Sequence, residues 1–150
     1  MEFENNEPTF DVIIKANLTK HKYTDWDVSI LDMSPIQLIG MIREMFSASG
    51  WLDKYKISDN KFIKFMWSCN YYYTRHKNPF HNFSHGVGVA HSAYWFLYNT
   101  KHFGGLLEEH EKFGFVIAAL GHDLDHRGKN NHFEINIHSE LAVKYNDKSP

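Results

Sequence analysis

Cysteine is almost absent from this chain: Cys69 is alone among 150 residues, so no disulfide can close within it, and a lone thiol fits a reducing compartment. Long apolar runs are missing as well. The longest, Phe113 to Leu120, is interrupted by Gly114 and is far too short to span a bilayer. The start, Met1-Glu2-Phe3-Glu4, has neither the basic residues nor the apolar stretch of a secretory signal. There is no excess of charge of either sign, 16 Lys+Arg standing against 18 Asp+Glu, so no basic field exists to attract a nucleic acid backbone. Strand-like alternation, internal repeats and low-complexity segments are also lacking. These absences predict a cytoplasmic protein with no membrane span and no nucleic acid partner. They carry no signal for homo-oligomers or for a regulatory partner.

Apolar residues and helix punctuation are plentiful. With 43% hydrophobic and 16% aromatic residues, the chain can bury a core, and at this length folding hides about two-thirds of the extended surface. Residues 1–25 read as a polar, irregular tail or lead-in, and 26–150 as one domain. Ser34-Pro35-Ile36-Gln37 reads as a capping box with proline at the first helical position, and Gly50 stands where that helix would end. A second helix is predicted from Ser58 or Asp59, ending before Asn78-Pro79, because a residue preceding proline is pushed out of helical geometry. Others are predicted over Phe83–Asn99, Leu106–Gly121, Asn131–Ile137 and, from the cap Ser139, to Tyr145. The stretch Phe115 to Leu120 is apolar all round and is expected at the centre of the molecule. The fold class is all-α. Tyr71-Tyr72-Tyr73 with Trp67 reads as core on one side and rim on the other rather than as a base-stacking surface, and Glu108 to Lys112 as a solvated helix start.

Of eleven histidines, nine fall between Phe80 and Ser139, and four of them form two clusters. One is His81-Asn82-Phe83-Ser84-His85; the other, 37 residues after His85, is His122-Asp123-Leu124-Asp125-His126. A single histidine more often satisfies a core hydrogen bond than binds metal. Two pairs at four-residue spacing, one enclosing two carboxylates, are a ligand set for a divalent ion of the zinc or iron class and a harder second ion. If the chain is helical from Asn82, His81 and His85 share one helix face. Gly121 and Gly128 would let the chain leave regular helix around the His122-Asp123 pair, so that both could reach one ion.

With the clusters placed, residues from about Trp26 to Pro150 resemble the first part of the catalytic domain of class I cyclic nucleotide phosphodiesterases, of the HD hydrolase superfamily. The resemblance is carried by Asn78-Pro79-Phe80-His81-Asn82-Phe83-Ser84-His85, by the twelve-residue run from His122 through His126, Gly128 and Asn131 to Phe133, and by Ser139-Glu140-Leu141-Ala142 with Tyr145-Asn146-Asp147. It implies a multi-helix HD-type domain truncated to its N-terminal portion. It implies His85, His122 and Asp123 as ligands of a tight zinc ion, with Asp123 bridging to a second ion, Mg²⁺ or Mn²⁺. It further implies His81 as general acid, His126 as hydrogen-bond partner of a water on the second ion, Asp125 as an orienting residue, and Phe80 and Asn131 in the substrate pocket. Phe80 stands where the family usually has tyrosine. The expected reaction is hydrolysis of a 3′,5′-cyclic nucleotide (cAMP, cGMP or both) to the nucleoside 5′-monophosphate. The family's domain is longer than this match, and its fourth metal ligand and purine-binding residues have no counterpart here. Two other readings stand beside this one: a non-catalytic module binding metal or nucleotide, and an HD hydrolase acting on other phosphate esters.

Overall fold

The computed structural model of the protein describes residues 7–17 and 23–148. Eight α-helices account for most of the described residues: α1 Phe10–Asn17, α2 Pro35–Ala48, α3 Trp51–Lys54, α4 Asp59–Thr74, α5 Phe83–Asn99, α6 Glu109–Gly121, α7 Asn131–Asn136 and α8 Glu140–Tyr145. Short 3₁₀ turns occupy Ile30–Asp32 and Gly104–Leu106. Among the described residues there is no strand, in agreement with an all-α class. None of the described helices is long and apolar enough to cross a membrane.

At the starts of α2, α4, α5, α7 and α8 a side chain accepts an otherwise unbonded backbone N–H. Ser34 and Gln37 form a reciprocal capping box at α2, and Ser58, Asn82, Asn130 and Ser139 cap α4, α5, α7 and α8. The region expected to be irregular contains α1, whose Ile13 is fully buried and which packs on α2. Arg43 on α2 ties this corner together, lying 4.6 Å from the Phe10 ring centroid and 2.7 Å from the Asp59 carboxylate.

The core is centred on α2, whose Leu38, Ile39, Met41, Ile42, Met45 and Phe46 are buried. Against it pack α4, through Phe62, Ile63 and Met66, and α5, through Val87, Ala90, Tyr94 and Leu97. Trp51 fills the joint between α2 and α6, fully buried, with its Nε1–H directed at Glu109 Oε2 3.4 Å away. Tyr73 is buried while Tyr71 and Tyr72 face out, which is the core-and-rim arrangement.

The expectation for α6 needs correction. It packs closely on α5, but only Val116 and Leu120 are buried; Gly114, Phe115 and Ala118 are exposed. An all-round apolar helix requires neighbours on every side to be buried, and among the described residues α6 has them on one side only.

Candidate metal centre

Both histidine clusters lie at helix ends rather than within helices. Asn82 is the N-cap of α5, its side chain accepting from the His85 N–H, so His85 is on the first turn and His81 precedes the helix. His81 and His85 therefore do not share a helix face; their ring centroids are 5.8 Å apart at 80°. On the other side α6 ends at Gly121, and His122 to His126 turn away from it. The left-handed residues that allow the turn are Asp125 (φ 69°) and Gly128 (φ 74°), not Gly121. Asparagine and aspartate tolerate this region better than most side chains, and glycine is free of the penalty.

The turn brings three ligand atoms together. His85 Nε2 is 3.2 Å from His122 Nε2 and 3.2 Å from Asp123 Oδ2, and His122 Nε2 is 3.0 Å from the same carboxylate oxygen. His122 Nδ1 lies 2.8 Å from the Ala119 carbonyl, which can only accept, so that nitrogen carries the proton and Nε2 presents a lone pair. Two nitrogens and a carboxylate oxygen at this separation repel unless positive charge lies among them. One proton can bridge a single edge of the triangle; a cation serves all three. Zinc with ligands at about 2.0–2.1 Å in tetrahedral geometry gives ligand edges of about 3.3 Å, and right-angle geometry about 2.9 Å. The observed edges fall between. The donor set thus fits a divalent ion, and it is the group of three His, Cys, Asp or Glu residues among the described ones placed to hold one.

Neighbouring side chains fix this geometry from outside. The buried Tyr73 hydroxyl donates to the Leu120 carbonyl at 2.8 Å and accepts from the Asp123 N–H at 3.3 Å, so α4 holds the backbone from which Asp123 projects. Burial, with the Asp123 charge adding to it, pushes the Tyr73 phenol up to about 12, so it stays protonated. Asp125 points away from the triad: Arg75 grips its carboxylate with two N–H groups and His76 Nε2 lies 2.8 Å from Oδ1. Partial burial raises its pKa, but these two partners outweigh that and hold the carboxyl below the usual range.

His81 and His126 stand beside the triad with rings stacked, centroids 4.0 Å apart and planes at 14°. The Gly128 N–H donates to His126 Nδ1 at 2.9 Å, leaving His126 Nε2 to carry the proton in the neutral ring. Phe80, 62% exposed, lays its ring 4.6 Å from that of His85. Asn131, on the first turn of α7, lines a cavity of about 160 Å³ together with Asp123, His126 and the buried Glu134. Sequence reading missed the roles of Tyr73, Arg75 and His76. Their partners Leu120, Asp123 and Asp125 lie far away in the chain, and no local spacing signals them.

These features define a class: all-helical domains in which a His-Asp pair leaving one helix meets a histidine at the start of its neighbour, in a group that could hold a divalent ion. The sequence profile of the 3′5′-cyclic nucleotide phosphodiesterase family matches residues 80–150. A 3′,5′-cyclic-AMP phosphodiesterase 4 of Dictyostelium discoideum is 38% identical over 133 residues, and a cGMP-specific phosphodiesterase 3 of the same organism 35% identical over 105. The phosphodiesterase domain of the RhoPDE fusion protein from the choanoflagellate Salpingoeca rosetta superposes with a TM-score of 0.76 at 35% identity over 90% of this chain. The chain belongs to the class I cyclic nucleotide phosphodiesterases, as part of their catalytic domain. It covers 86% of itself but 12% of the first relative, 70% of itself but 22% of the second, and it spans 41% of the solved domain.

Proposed function

We propose that this chain contributes the metal-binding half of a site that hydrolyses 3′,5′-cyclic nucleotides to nucleoside 5′-monophosphates. The observation that supports it most is the convergence of His85 Nε2, His122 Nε2 and Asp123 Oδ2 within 3.2 Å of one another at the junction of α5 and α6. His85, His122 and Asp123 would hold a zinc ion, and Asp123, which also lines the cavity shared with Asn131 and Glu134, would contribute to holding a Mg²⁺ or Mn²⁺ ion. Such a pair of ions, when bound, lowers the pKa of water and polarises phosphoryl oxygens. Residues 26–150 are the corresponding part of the domain and 1–25 its lead-in.

His81 would give a proton to the ribose 3′-oxygen as the P–O bond breaks, since an imidazolium can donate there and be reprotonated between turnovers. His126, which lines the cavity, would offer its Nε2–H to a water there, and the Arg75-Asp125-His76 contacts hold the turn that carries it. Phe80 shields the His85 face, and Asn131 offers an amide to whatever enters the cavity. Names of relatives cover both cAMP and cGMP, and preference between them belongs to residues that contact the base.

The test has two parts. Zinc binding by this chain should be abolished by His122→Ala and by Asp123→Ala and retained by His81→Ala. Hydrolysis of both cyclic nucleotides with Mg²⁺ and trace Zn²⁺, by the chain alone and extended with the C-terminal part of the Dictyostelium relative's domain, should fall about 10²–10⁴-fold in His81→Ala. Loss of zinc on His81→Ala would refute the division of roles, and zinc binding without turnover in either form would favour a non-catalytic metal module.

A further inference from the structure

The loops that carry His81 and His126 come from distant parts of the chain, one between α4 and α5 and the other after α6, and one side chain spans them. Asn78 Nδ2 donates to the His126 carbonyl at 2.5 Å and to the His81 carbonyl at 3.3 Å. Both partners are carbonyl oxygens that can only accept, so this face of the amide must be the NH₂. The opposite atom, Oδ1, lies against Gly128: a Cβ there would sit 2.5 Å from it, on a residue that already needs φ 74°. That same glycine donates its N–H to His126 Nδ1. One amide therefore touches the backbone under both stacked rings and the residue that orients one of them. An asparagine before proline often serves its own turn, but this one reaches a residue 48 positions away.

We propose that Asn78 is a positioning residue for His81: by bridging the His81 and His126 carbonyls it holds the two imidazoles face to face and sets where the His81 proton is delivered. The second half of this statement rests on the reading of His81 as proton donor; the first half stands on geometry alone. Asn78→Asp has the same shape but replaces the NH₂ with an oxygen facing two carbonyls, so it removes both bonds without opening a void. Gly128→Ala attacks the contact from the other side.

The experiment is NMR of the zinc-loaded chain labelled in histidine and asparagine. In the unsubstituted protein a scalar coupling across the hydrogen bond should connect the Asn78 NH₂ to the His126 carbonyl carbon, and the ring protons of His81 and His126 should show mutual ring-current displacement. In Asn78→Asp and Gly128→Ala the displacement of both rings should be lost, with the His85 and His122 signals and zinc affinity unchanged. Absence of the coupling in the unsubstituted protein, or unchanged His81 and His126 signals in a folded variant, overturns the proposal, and so does a loss of zinc affinity that accompanies their change. In a form that turns over, Asn78→Asp should lower kcat about ten- to a hundredfold with KM nearly constant, and should cost nothing more in a His81→Ala background. An additive loss there overturns the positioning role. If no form turns over, the hydrolase reading fails while the NMR result still decides the bridge.

Discussion

Two histidines of this chain each face a backbone carbonyl, yet their surroundings give them opposite uses. His122 is exposed and keeps Nε2 free beside Asp123, whereas His91 is 2% exposed and uses its Nε2–H on the Tyr23 carbonyl at 2.8 Å. Burial of His91 disfavours its cation, and the bond to Tyr23, which pulls the other way, does not offset this, so its pKa lies below that of a free imidazole. The unfolded chain then takes up this proton first. The stabilisation from a neutral His91 is complete above about pH 6.5 and is lost as the pH falls through the folded-state pKa. Denaturant midpoints of the metal-free chain should therefore drop between pH 7.5 and 5.5 by more than those of His91→Gln. Parallel curves for the two proteins would contradict this. The two histidine clusters were legible in the sequence as short local runs, but their meeting, His85 against His122 and Asp123, joins residues 37 or more positions apart. What Asp125 touches was not legible either: its partners Arg75 and His76 are 50 and 49 residues away, and only the fold chooses them.

Helices were the most legible level, since their start signals are short-range chemistry. Ser34, Ser58 and Ser139 each cap the helix that their position predicted, and α5 runs from Phe83 to Asn99 as expected, with Asn82 as its cap rather than its first helical residue. The short α1 was read as irregular because an eight-residue helix has little propensity of its own and depends on docking against α2. Contacts between helices were equally invisible, and the joint of α4 with α5 shows what they do. Gly86 lies so close to Tyr73 that a Cβ would fall 2.7 Å from its Cζ and 2.8 Å from its hydroxyl oxygen. The glycine thus lets the Tyr73 hydroxyl reach Leu120 and Asp123. Gly86→Ala should destabilise the fold by about 1–3 kcal/mol through overpacking and should also weaken zinc binding, because the displaced tyrosine no longer holds the Asp123 N–H. Tyr73→Phe removes the hydroxyl without the clash and, by leaving the Leu120 carbonyl without its partner, should cost about 1–3 kcal/mol. Urea melts and zinc titrations of the two variants check both statements; zinc affinity unchanged in both would show that the tyrosine supports the helix end and not the ligand.

At the scale of the whole molecule, the proposed ion would join the start of α5 to the end of α6, two helices that pack closely on one another. Burial at this scale could not be read from hydropathy: the Phe115–Leu120 stretch of α6 is apolar all round, yet Phe115 and Ala118 remain exposed, because a helix's own sequence does not state how many neighbours it has. Metal linkage offers a measure of how far the centre and the fold depend on each other. An ion that binds the folded state alone adds RT ln(1 + [L]/Kd), about 2.7 kcal/mol at a hundredfold excess over Kd. For a domain of this size that corresponds to a rise in Tm of roughly 5–10 °C. Zinc should produce such a rise in the unsubstituted chain and in His81→Ala, and none in Asp123→Ala. The His122→Ala chain should behave like Asp123→Ala, since losing either ligand leaves two donors and no closed triangle. A rise that survived in Asp123→Ala would place the ion elsewhere, and absence of any rise would reduce the triad to a hydrogen-bonded cluster held together by a shared proton.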